Sequence, residues 1–241
     1  MPVGTLEQAG PAPADARPGF LWRLLSPIGA VLLAFVLLAA GAGALTATSL
    51  SDDATAAVLA AVTSLLLLVF GALLWLRLPA HERRTAVALK HTLGGAIGLG
   101  LTIGIGIIIG SGAILVAGSA IDPGVEERLE DVEEIGTVPW QATLTIVALV
   151  LLAPLGEELL FRGLLLRALV RRLRFWPAAV ISSLVFAAAH ADAYLIWPRA
   201  IALVGTGVAL AWLYRWRGYW ASVIAHATVN AVASIALVAS S

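Results

Sequence analysis

Apolar residues in this chain do not alternate with polar ones. They come in long unbroken runs, separated by short charged or proline-containing segments. A helix needs about 20 apolar residues to cross the hydrocarbon core of a bilayer. Seven runs qualify as spans: residues 24–47, 54–78, 93–118, 138–173, 177–191, 196–214 and 219–238. The pattern predicts an all-α fold, a polytopic transmembrane helix bundle of about seven spans. The fourth run is too long for one straight span, and Pro154 within it is a candidate kink. The third carries Gly94, Gly95, Gly98, Gly100, Gly104, Gly106, Gly110 and Gly112. Small residues four apart let helices approach closely in lipid, so packing is expected here. Between the third and fourth runs, Asp122 to Glu134 holds seven acids and Arg128, with Val125, Leu129 and Val132 at helical spacing. That segment reads as a short amphipathic helix with a solvated face.

Four regions follow: a disordered cytoplasmic tail (1–20), three accessory spans (21–119), an acidic loop or short helix (120–138), and a core of about four spans (139–241). The tail is rich in Pro, Ala and Gly and does not resemble a cleavable signal peptide. Composition agrees with the membrane reading. Of 241 residues, 60% are hydrophobic and 12% charged, against about 25% charged in soluble domains, and the mean hydropathy is +0.95. Net charge is zero, which gives no field to attract nucleic acid. The absence of cysteine excludes disulfides, thiolate nucleophiles and cysteine metal sites. Basic residues follow the second, fourth and sixth spans, and acidic ones follow the first and third. By the positive-inside rule the amino terminus and the basic loops lie in the cytoplasm. The Ala, Leu, Gly and Arg bias, with little lysine, points to a bacterial cytoplasmic membrane.

The first three spans carry no ionisable residue in their interiors; the later ones do. Pro154-Leu155-Gly156-Glu157-Glu158-Leu159-Leu160-Phe161-Arg162 puts two carboxylates and a guanidinium inside an apolar run. Each costs roughly 2.5–3.5 kcal/mol on insertion scales. Glu158 and Arg162 are four apart and share a helix face; Glu157 points about 100° away. Phe186 and His190 are also four apart, as are His226 and Asn230. Each element alone has a bland reading: a structural ion pair, an interfacial histidine, an interhelical amide. Together they offer a carboxylate, two imidazoles and an amide on three helices, while His81 and His91 lie in a basic loop. Such a set can activate water and stabilise an oxyanion. The same buried charges would also serve a small transporter or proton-coupled channel. At 1.5 Å per residue, Glu157 lies about 25 Å from Trp140, and His190 about 20 Å from Pro177. The two meet only if the fifth span starts later or the Pro154 kink lifts Glu157.

The three motifs, Glu157-Glu158-x-x-x-Arg162, Phe186-x-x-x-His190 and His226-x-x-x-Asn230, resemble those of the CPBP (Abi) intramembrane proteases, which include the type II CAAX prenyl endopeptidases. The resemblance covers about the last 100 residues, including the approach Trp220-Ala221-Ser222 to the last motif. It implies a membrane-embedded endopeptidase with catalytic residues Glu157, His190, His226 and Asn230. Glu157 is then the general base, His190 holds the water, and His226 and Asn230 stabilise the oxyanion. Glu158, Arg162 and Phe186 are supporting residues, the first two orienting the site. The resemblance leaves a metal requirement open; a divalent ion such as zinc would take Glu157, His190 and His226 as ligands. A peptide or protein substrate is implied, C-terminal or bacteriocin-like in the family, along with membrane lipid and no nucleic acid. A scaffold that has lost activity is the remaining alternative, although no motif position is missing.

Overall fold

The computed structural model describes residues 19–45, 50–130, 138–190 and 194–240. The expectations for residues 1–18, for Asp131 to Glu134 and for the end of the fifth span at Ala191 fall outside these. Among the described residues nine helices follow in order: α1 (Phe20–Leu45), α2 (Asp52–Leu76), α3 (Ala80–Ala86), α4 (Leu93–Ile121), α5 (Gly124–Glu130), α6 (Pro139–Leu169), α7 (Phe175–Ala188), α8 (Trp197–Arg217) and α9 (Tyr219–Ser240). No strand occurs among the described residues, only an isolated bridge between Leu89 and Gly218. The fold is the expected all-α bundle. By length and apolarity α1, α2, α4 and α6 can each cross a membrane, and α7 is a shorter apolar helix.

Packing separates the helices more than hydropathy does. Across its apolar window α6 is 44% buried, against 17–22% for α1, α2 and α4. It runs through the middle of the bundle, with α1 and α2 on one side and α7 and α9 on the other; α4 covers α8 and α9 from outside. The glycines of α4 divide accordingly. Gly100 and Gly104 lie directly on α9: a Cβ on Gly104 would come within 2.8 Å of Thr228 Cβ and 2.9 Å of the Ala225 carbonyl. Gly118 abuts Pro198 in the same way, whereas Gly94, Gly98, Gly106, Gly110 and Gly112 face open space. The packing expectation therefore holds for the subset that meets α8 and α9.

The basic loops gather at one end of the bundle. The segment after α3 docks on the α8–α9 turn, where the Lys90 N–H donates to the Arg217 carbonyl (3.1 Å) and the Tyr219 N–H donates to that of Ala88 (3.0 Å). Gly218 permits this with φ +89°; a Cβ there would sit 2.3 Å from the Ala88 carbonyl. The sequence pattern offered only a loop where α3 forms. Its Glu82 is buried and takes both Arg23 of α1, through two nitrogens, and Arg171 beyond α6, at 2.9 Å. Burial works to raise the Glu82 pKa, but hydrogen bonds and charge from Arg23 and Arg171 outweigh it and hold it below 4.5. A depressed carboxylate contributes stability that is complete above its unfolded pKa and is lost as pH falls through the folded value. Detergent-solubilised protein should therefore melt at lower temperature at pH 3 than at pH 6. Glu82→Gln should lower the pH 6 value and narrow the difference.

Candidate active site

The site is built on irregularities in α6. The helix widens into π turns at Ala148–Leu152 and again at Glu158–Leu166, with an ordinary α turn, Ala153–Glu157, between them. Such turns inside an α-helix concentrate at functional sites. Pro154 gives the first of them a physical cause. Around it the Ala153 N–H reaches back five residues to the Ala148 carbonyl. In that register the Leu149 carbonyl would pair with residue 154, and proline has no N–H. Asn230 of α9 supplies the missing donor, its Nδ2 lying 2.8 Å from that oxygen. Two other carbonyls of α6 are held from neighbouring helices: Leu155 by the Tyr219 hydroxyl (2.8 Å) and Phe161 by the Ser182 hydroxyl (3.0 Å).

Glu157 and His190 do meet. The fifth helix starts earlier than expected, at Phe175, so a late start is not the reason. Both side chains line one cavity of about 530 Å³. Its wall is otherwise largely apolar and comes from α1 and α2 as well as α6.

Glu158 faces the other way and is fully buried. Its carboxylate accepts from Ser222 and from His226 Nδ1 (3.1 Å), and pairs with Arg162 Nη1 at 3.1 Å. Arg162 also donates to the Gly207 carbonyl (3.2 Å), and its guanidinium stacks on Phe186 at 4.6 Å. Phe186 in turn contacts both histidine rings, at 4.7 Å for His190 and 5.8 Å for His226. The backbone carbonyl or carboxylate each imidazole meets fixes its tautomer, because those oxygens only accept. His190 Nδ1 donates to the Phe186 carbonyl (2.9 Å), which leaves the Nε2 lone pair free. His226 Nδ1–H is committed to Glu158, and its Nε2 stands 3.8 Å from Glu157 Oε2. That gap is too long for a direct hydrogen bond. Glu157 Oε2 is buried and has no hydrogen-bond partner among the described residues.

Arg162, His190 and His226 thus come together around Phe186, with Glu157 beside His226 and Asn230 held on the Leu149 carbonyl. Glu157 and His190 open onto the cavity, while His226 and Asn230 are not part of its wall. Among the described residues no group of three His, Asp or Glu side chains is found that could hold a metal. Sequence reasoning left several participants without a role: Ser222 on Glu158, Tyr219 and Ser182 on the α6 backbone, and Gly207 beneath Arg162. Ser222 could have been found, since it lies one turn before His226 on the same helix face.

This architecture is that of an all-helical integral membrane protein with a charged network buried beside an intramembrane cavity. Residues 139–232 match the family model described as type II CAAX prenyl endopeptidase Rce1-like, the segment that holds the three motifs. YdiL of Bacillus subtilis (strain 168), whose own description as a membrane peptidase is provisional, is 29% identical over 108 residues. The alignment covers 44% of this chain and 43% of that relative, so the chain matches less than half the relative's length. No solved structure matches the chain.

Proposed function

We propose that this protein is an intramembrane endopeptidase whose substrate reaches Glu157 through the cavity between α1, α2 and α6. The observation that carries the reading is the pairing of a buried, unpartnered carboxylate oxygen on Glu157 with a free lone pair on His190 Nε2, both on that cavity. Glu157 takes a proton from a water that His190 Nε2 holds by accepting its other hydrogen. The hydroxide then attacks the scissile carbonyl, and the proton passes to the leaving amine. His226 acts from beyond Glu157; it donates at Nε2 only as an imidazolium, because its Nδ1–H is used by Glu158. Asn230 keeps one N–H besides the one given to Leu149, enough for an oxyanion contact once substrate is bound. Glu158 and Arg162 hold His226 and Phe186 in place.

Every step uses side chains and water, and chelator treatment is expected to leave activity unchanged. The basic ends of α1, α3, α6 and α8 gather on one side, in keeping with a cytoplasmic amino terminus. The test is a mass-spectrometric comparison of membrane proteins from cells carrying the wild type or Glu157→Gln. Fragments that depend on Glu157 are expected. Their absence, or flux of a small solute that depends on Glu157 in liposomes, would sink the protease reading.

A further inference from the structure

The family match begins at residue 139, yet half of the cavity wall comes from earlier in the chain. We propose that Ser64 of α2 is a positioning residue of this site, its hydroxyl holding the attacking water against Glu157. This rests on the protease reading above. Three contacts fix how α2 lies on α6: Gln141 with Ser51, Gly156 with Leu68, and Leu159 and Leu160 with Gly71. The numbers rise together, so the two helices run in the same direction. The approach is closest beside Glu157, where a Cβ on Gly156 would fall 2.6 Å from the Leu68 backbone nitrogen. Ser64 lies one turn before Leu68. Side chains on a helix tilt towards its amino terminus, so the Glu157 carboxylate reaches back towards Ala153, at the level of Ser64. Ser64, Ala153 and Glu157 all line the cavity.

The hydrogen bonding singles Ser64 out. Hydroxyls in the interior of a helix ordinarily bond back to the carbonyl four residues earlier. Thr63 does so with Leu59 (2.7 Å), as do Ser183 with Ala179 and Thr228 with Ile224. Ser64 is only 4% exposed, makes no hydrogen bond to another described residue and lines the cavity, so its hydroxyl is left for what the cavity holds. Glu157 Oε2, on the same cavity, is buried without a hydrogen-bond partner among the described residues. One water between them satisfies both groups and sits where the reaction requires it.

The experiment adds Ser64→Ala and Ser64→Thr to the proteome comparison of wild type and Glu157→Gln. Ser64→Ala should slow the appearance of Glu157-dependent fragments by roughly tenfold, the worth of one hydrogen bond. Ser64→Thr, which keeps the hydroxyl, should restore the rate. With a substrate taken from those fragments, the loss should fall on kcat with KM little changed. Melting temperature and membrane content of Ser64→Ala should equal those of the wild type, because no internal bond is lost. Fragments at the wild-type rate in Ser64→Ala overturn the proposal, as does a loss that Ser64→Thr fails to rescue or one that tracks a drop in melting temperature. If Glu157-dependent fragments form and Ser64→Ala is silent, only this inference fails; if none form, the protease reading fails and takes the inference with it.

Discussion

Replacing Arg162 by methionine is expected to cost the folded protein about 3–5 kcal/mol, the cost of stripping one partner from a buried ion pair. Net stabilities run to about 5–15 kcal/mol, so a large part of the margin would go. The side chain is 1% exposed and joins three elements at once: Glu158 on its own helix, the Gly207 carbonyl on α8 and the Phe186 ring on α7. Without it the fully buried Glu158 carboxylate keeps only Ser222 and His226. Lysine should not substitute, because it lacks the planar fork that spans Glu158 and the Gly207 carbonyl while lying flat on the Phe186 ring. The double variant Glu158→Leu/Arg162→Met removes both charges, and it should melt above either single variant while remaining inactive, since His226 loses the acceptor that orients it. Thermal melts in detergent, read alongside cleavage of one substrate, separate the two effects. A double variant no more stable than the singles would show that the pair does not act as a unit.

Glu157→Gln is expected to do the reverse. Cleavage should fall by a factor of about 10²–10⁴, the usual contribution of a positioned general base. The melting temperature should stay near that of the wild type. The reason is local: Glu157 Oε2 has no hydrogen-bond donor among the described residues, and the His226 Nε2 beside it is 3.8 Å away. An amide of the same shape therefore breaks no bond. Glu158→Gln, one residue on, should lose stability and activity together, because it sits at the centre of a bonded network. Two adjacent carboxylates would then divide between chemistry and support, and a melting temperature that fell equally in both variants would contradict that division.

Much of this was open to reading in the sequence. Hydropathy is a local property, so the helices could be placed to within a few residues; the fourth run, read as 138–173, is the helix Pro139–Leu169. The motif residues stood out because ionisable groups inside apolar runs are costly and therefore few. The short helix α3 did not stand out, because its polar sequence has no apolar run and its Glu82 is buried only through Arg23 and Arg171, 59 and 89 residues away. Nor did the π turns, the first of which depends on a proline in one helix and an asparagine in another.

What the sequence determined alone was therefore the class of fold and the residues able to do chemistry, since both follow from which side chains water or lipid will accept. The tertiary structure decided what surrounds each of them. Glu157 and Glu158 are neighbours of the same chemical type, and helix geometry alone says only that they point about 100° apart. Helices α7, α8 and α9 gather around one of them and leave the other facing a cavity that α1 and α2 help to enclose. A carboxylate's role is set by the donors that reach it, and here those donors come from residues far along the chain.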